Sequence, residues 1–72
     1  MKKFDVSQLK EGLIIYHKKG WEDALQYSGW NNGKIWDFYS LVFDDENLEG
    51  YFSKEKIVRL TKSELNDYYI AD

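Results

Sequence analysis

Trp30-Asn31-Asn32-Gly33-Lys34 joins two aromatic-rich runs, Trp21 to Gly29 and Lys34 to Phe43, and its reading decides the fold. Asn-Gly supplies the positive φ that a tight hairpin turn demands, so the flanking runs read as two antiparallel strands. With Asn32-Gly33 as the loop, Tyr27 lies opposite Phe38 and Gly29 opposite Trp36 on one side of the ribbon. Trp30 then lies near Ile35 on the other. Sliding the loop to Asn31-Asn32 leaves both sets on the same faces, because the side-chain period is two. One face therefore carries Leu25, Tyr27, Gly29, Trp36, Phe38, Ser40 and Val42. The other carries Gln26, Ser28, Trp30, Ile35, Asp37 and Tyr39, with Leu41 and Phe43 toward its far end. The first face is apolar and should line an interior. Leu41 and Phe43 turn the second apolar again, as expected of a long strand that bends to serve both halves of a barrel.

Upstream, Asp5 to Gly12 reads as one short helical or 3₁₀ turn, capped by Asp5 or Ser7 and ended by Gly12. A first strand, Leu13 to His17, follows, and Lys18-Lys19-Gly20 turns the chain into the second. Downstream, Asp44 to Asn47 is a polar turn and Leu48 to Ser53 a fourth strand. Ser53 to Lys56 reads as a 3₁₀ turn and Ile57 to Leu60 as a short fifth strand. Thr61-Lys62-Ser63-Glu64 is a capping box, and Leu65, Tyr68 and Tyr69 fall at helical spacing. A helix from Lys62 to about Tyr69, docked on an open end of the strands, is therefore expected. A helix that short is unstable alone in water, so packing must hold it.

Seventy-two residues make a single domain that buries about 60 to 65 % of the surface its unfolded chain exposes, so a few large side chains must supply the core. Thirteen aromatic residues meet that need. Cysteine is absent, which excludes disulfides, thiol chemistry and cysteine-ligated zinc. The Met1-Lys2-Lys3-Phe4 start leads into Asp5 and Ser7-Gln8 rather than an apolar run, unlike a signal peptide. The longest apolar run, Leu13 to Tyr16, is far too short to span a bilayer. A cytoplasmic protein with no membrane association is expected. Net charge is −3, against the electrostatic footprint of a protein whose main partner is nucleic acid. The positive charges are nonetheless concentrated early, at Lys2, Lys3, Lys10, Lys18, Lys19 and Lys34, while Asp44, Asp45, Glu46 and Glu49 cluster in one turn.

These elements describe a mainly β fold: a small five-stranded SH3-like (Tudor-like) barrel, residues 1–72, with a short C-terminal helix from about residue 61. Gly12, Tyr16-His17-Lys18-Lys19, Gly20 and Val42-Phe43-Asp44 add a more particular likeness. In that order of features, from Leu9 to Leu60, the chain resembles the Tudor-like domains at the C-terminus of UvrD/PcrA-type helicases and in CarD-type transcription factors. It departs from them after Gly20, where Trp21-Glu22-Asp23 stands in place of a second glycine. The resemblance implies docking onto a nucleic-acid-processing machine, RNA polymerase in particular, through a strand edge rather than through DNA.

Trp30, Ile35 and Tyr39, beside Gln26, Ser28 and Asp37, form the candidate partner-binding patch, since tryptophan and tyrosine are enriched at interaction hot spots. The competing reading is that the C-terminal helix covers them. Trp21, at a turn, reads as a plug for one end of the barrel. His17 is the sole histidine, with no partner fixed for general-base work, and reads as a strand-end residue bonded to a loop. No serine has the glycine-flanked elbow of a nucleophile. Asp44-Asp45-Glu46-Asn47 lacks the ligand spacing of a calcium loop. No catalytic, metal or cofactor residues are assigned. The leading expectation is a non-enzymatic module that binds a larger protein through the aromatic patch or a strand edge. A barrel binding nucleic acid through its lysines around Trp30, an acidic DNA-mimic inhibitor using Asp37, Asp44, Asp45, Glu46 and Glu49, and self-association at an open edge are the alternatives.

Overall fold

The computed structural model describes residues 1–43 and 52–71, with side chains for all of these but 20–23, 42, 43 and 52–55. A 3₁₀ turn, Val6–Gln8, precedes strands β1 (Ile14–His17), β2 (Gly20–Asn31), β3 (Ile35–Phe43) and β4 (Phe52–Thr61). A single helical turn, α1 (Lys62–Leu65), then leads into a two-residue strand β5 (Tyr68–Tyr69). The strands form one sheet in the order β4-β3-β2-β1-β5, with every described neighbour pair antiparallel. The mainly β expectation of five strands and one short helix holds at this level. The expected turn at Asp44 to Asn47 and the start of the fourth strand at Leu48 lie outside the described residues, as does the side chain of Trp21.

The central hairpin forms as its sequence requires, with one local change. Leu25 pairs with Ser40, Gln26 with Tyr39 and Tyr27 with Phe38, the register expected of an Asn32-Gly33 loop. Beyond Tyr27 the register slips, and Asn31, not Gly29, faces Trp36. Ser28-Gly29-Trp30 bulges opposite Asp37: Gly29 takes φ +97°, the Trp30 N–H donates to Ser28 Oγ at 3.3 Å, and Ser28 Oγ donates to the Asp37 carbonyl at 3.0 Å. Because the slip spans two residues, the faces are preserved. At the tip only Gly33 has positive φ, so the turn is not of the type that needs two such residues. Asn32 Oδ1 accepts the Lys34 and Ile35 N–H groups at 2.9 and 2.7 Å, and Asn31 Oδ1 accepts that of Gly33 at 3.0 Å. The asparagine side chains thus do part of the turn's hydrogen bonding.

Two expectations downstream are corrected. The fourth and fifth strands are one continuous strand, β4, and no 3₁₀ turn separates them at residues 53–56. Tyr39 pairs with Ile57 but Leu41 with Lys54, so β4 carries one residue more than β3 between those pairs. That bulge falls where the polar Ser-Lys-Glu-Lys run suggested a turn. The C-terminal helix stops at Leu65 rather than Tyr69. Its capping box forms, with Thr61 N–H donating to Glu64 Oε1 at 3.1 Å and Glu64 N–H to Thr61 Oγ1 at 3.3 Å. Asn66-Asp67 then turn the chain, and Tyr68 and Tyr69 pair with His17 and Tyr16. Backbone hydrogen bonds to β1 replace the helical ones that residues 66–69 would have made.

The core lies on the face predicted to be apolar. Ile15 and Phe38 are fully enclosed, and Leu25, Tyr27, Trp36, Leu60, Leu65 and Ile70 complete the cluster. Phe4, Val6, Leu9 and Leu13 from the N-terminal segment pack against it, as do Val58 and Tyr68. Asn31 Nδ2 donates to the Tyr27 hydroxyl at 2.8 Å, satisfying the polar end of a buried ring. The two termini are tied together where Lys2 and Ile70 exchange backbone hydrogen bonds of 2.9 Å each way.

Candidate functional site

Side chains alternate along β2, β3 and β4, so residues whose neighbours enter the core must project from the opposite face. Trp30 adjoins Asn31, whose side chain reaches the core residue Tyr27, and so projects away from the core. It is 51 % exposed. Ile35, next to buried Trp36, belongs to the same face and pairs with Thr61. Asp37 and Arg59 face each other across β3 and β4 with Arg59 Nε 3.0 Å from Asp37 Oδ1. Gln26, Tyr39 and Ile57 form one row across three strands. Gln26 is held by a 3.1 Å bond from its Nε2 to the Gly12 carbonyl.

The structure thus gathers Trp30, Ile35, Tyr39, Gln26 and Asp37 on one sheet face. They are unequal in exposure: Trp30 is open, while Ile35, Tyr39, Gln26 and Asp37 are half-buried. The C-terminal segment does not cover Trp30. Leu65 is buried in the core on the other side of the sheet, and Tyr68 packs there too. Two members of the face escaped the sequence reading. Ile57, 59 % exposed, and Arg59 enter only because β4 runs unbroken beside β3. The alternation of Ile57, Arg59 and Thr61 with Val58 and Leu60 was the signal that could have placed them. At the far end of this face Leu41 and Ala24 are buried, in line with the apolar switch expected there.

His17 Nδ1 accepts the Lys19 N–H at 3.2 Å, the loop bond expected of a strand-end histidine, and its ring meets Tyr68 edge-on at 5.0 Å. Among the described residues no three histidine or carboxylate side chains converge as a metal site would require, and no helix is long and apolar enough to cross a membrane. The chain matches no protein-family model, and comparison with curated proteins and with solved structures likewise returned no match.

Proposed function

We propose that this chain is a small non-enzymatic interaction module, an SH3-like barrel of the Tudor-like kind, that docks a larger protein partner in the cytoplasm through the face bearing Trp30. One observation carries the reading: Trp30 and Ile57, 51 % and 59 % exposed, share a sheet face with Ile35 and Tyr39. Exposing a tryptophan and an isoleucine on one face costs solubility without benefit to the core, and a partner that covers them recovers their burial energy. The ionic groups in the middle of the face, Asp37 and Arg59, neutralise each other, so the surface favours an apolar protein patch over a polyanion. The meander order, with β5 returning to pair beside β1 after one helical turn, supports the barrel reading. The resemblance to helicase and transcription-factor Tudor-like domains points to a component of a nucleic-acid-processing machine as the partner.

The test is capture from native cytosol by the wild type, Trp30→Ala and Ile57→Ser, with folding of each checked by circular dichroism. A protein retained by the wild type, lost by both variants and insensitive to nuclease and salt supports the proposal. Retention of every captured protein by both folded variants overturns it. Steep loss of binding with salt would instead assign the surface to nucleic acid.

A further inference from the structure

On the other side of the sheet, at the end nearest the β1–β2 turn, the core face does not close. The inward row that follows Tyr27, Phe38 and Val58 is made of Leu25, Ser40 and, within the β4 bulge, Lys56. A serine in that row leaves unfilled the volume a large apolar side chain would take. A cavity of about 370 Å³ results, within the range of small-ligand sites. Leu25 and Val58 supply apolar lining, while His17, Lys19, Lys56 and Tyr68 join Ser40 as its polar groups.

Among the described residues that line it, the side chains with a fixed charge are Lys19 and Lys56, both cationic. Lys18 pairs with Asp67 at 3.3 Å and Arg59 with Asp37 at 3.0 Å. Among the described residues no carboxylate pairs with the ammonium of Lys19 or of Lys56. His17 Nδ1 accepts the Lys19 N–H, which leaves Nε2 as the ring nitrogen able to donate. Two lysines, a histidine and a serine thus line a partly apolar hollow in a chain whose net charge is −3. The wider negative charge repels long polyanions, so the local positive site suits a compact anion.

We infer that this cavity binds a small organic phosphate monoester, its dianion held by Lys19 and Lys56 with help from His17 and Ser40, and its apolar body resting on Leu25 and Val58. Lysine serves phosphate as a point charge and needs no planar geometry, which suits two side chains reaching in from different strands. The site lies across the sheet from Trp30 and does not depend on the protein-docking proposal.

The experiment is a titration of the full chain with phenyl phosphate, followed by amide chemical shifts. Saturable shifts at His17, Lys19, Leu25, Ser40 and Lys56 are expected, with inorganic phosphate binding the same residues more weakly and phenol giving no saturation. Lys19→Gln with Lys56→Gln should weaken binding by about tenfold or more, the loss expected from a charge-assisted hydrogen bond. Lys34→Gln, at the distant hairpin tip, and Trp30→Ala should bind as the wild type does. Absence of saturable shifts overturns the proposal. So does equal weakening by Lys34→Gln, which would mark general attraction to surface lysines. Ser40→Leu, which fills the hollow, should abolish binding in a chain that remains folded, and undiminished binding by it would also overturn the site.

Discussion

Arg59 Nε donates a 3.0 Å hydrogen bond to the carboxylate of Asp37 directly across the β3–β4 ladder, and the two side chains differ sharply in exposure, 66 % against 15 %. The guanidinium is solvated while the carboxylate is largely enclosed, so removal of the arginine leaves a partly desolvated anion without its partner. An exposed partner limits the effect, and Arg59→Ala should cost about 0.5 to 1 kcal/mol in urea denaturation. The difference from wild type should shrink at high salt, where exposed charges are screened. A salt-independent loss would mean that the arginine acts through its packing.

Gly29 and Gly33 both hold positive φ, +97° and +87°, yet their surroundings differ. A Cβ at Gly29 would stand 3.2 Å from Glu11 Cβ and 3.3 Å from its Cγ, whereas one at Gly33 would meet nothing within 4 Å. Gly33→Ala should therefore lose only the conformational term, about 1 kcal/mol. Gly29→Ala should lose more, because the β2 bulge must also move away from Glu11. Equal losses by chemical denaturation would show that the Glu11 segment yields without cost.

Thr61 ends β4 and caps the single turn that carries the chain round to β5. A four-residue helix cannot persist on its own hydrogen bonding, so the cap and the burial of Leu65 must hold it. Thr61→Ala should cost about 1 kcal/mol, and Thr61→Ser much less. Amide exchange should report the loss locally, with faster exchange at Asp67 and Lys18, whose N–H groups bond Glu64 O and Asp67 O.

Alternation along the hairpin was legible because Asn-Gly sets strand direction, and buried Tyr27, Trp36 and Phe38 with exposed Trp30 follow from it. The bulge at Ser28-Gly29-Trp30 had a local sign too, a glycine inside a strand pattern, but nothing local fixes how many residues it inserts. Tyr68 and Tyr69 stand at helical spacing from Leu65, and only pairing with Tyr16 and His17, over fifty residues away in sequence, makes them a strand. The same limit hid part of the candidate face. Trp30, Ile35 and Tyr39 could be grouped from one hairpin, but Ile57 and Arg59 join them through the β3–β4 pairing, some twenty residues apart in sequence, which no local turn signal fixes. The cavity at Ser40 is assembled from five strands and a turn, and no stretch of sequence holds its outline.

Trp36 and Trp30 lie on opposite faces, 6 % and 51 % exposed, and this contrast gives the sharpest test of the docking surface. A 72-residue chain is expected to be stable by roughly 4 to 11 kcal/mol. Trp36→Ala removes a core ring that packs with Phe38, Leu60 and their neighbours, and should cost about 3 to 5 kcal/mol, enough to unfold a marginal domain on mild heating. Trp30→Ala removes a side chain held chiefly by solvent and should shift stability by about 0.5 kcal/mol or less. Thermal and urea unfolding of the two variants measure both. A Trp30→Ala loss close to that of Trp36→Ala would make Trp30 a structural residue, and its exposure would then cease to argue for a partner. A near-neutral Trp30→Ala leaves a large aromatic side chain that the fold does not need, and partner binding becomes the property that variant must change.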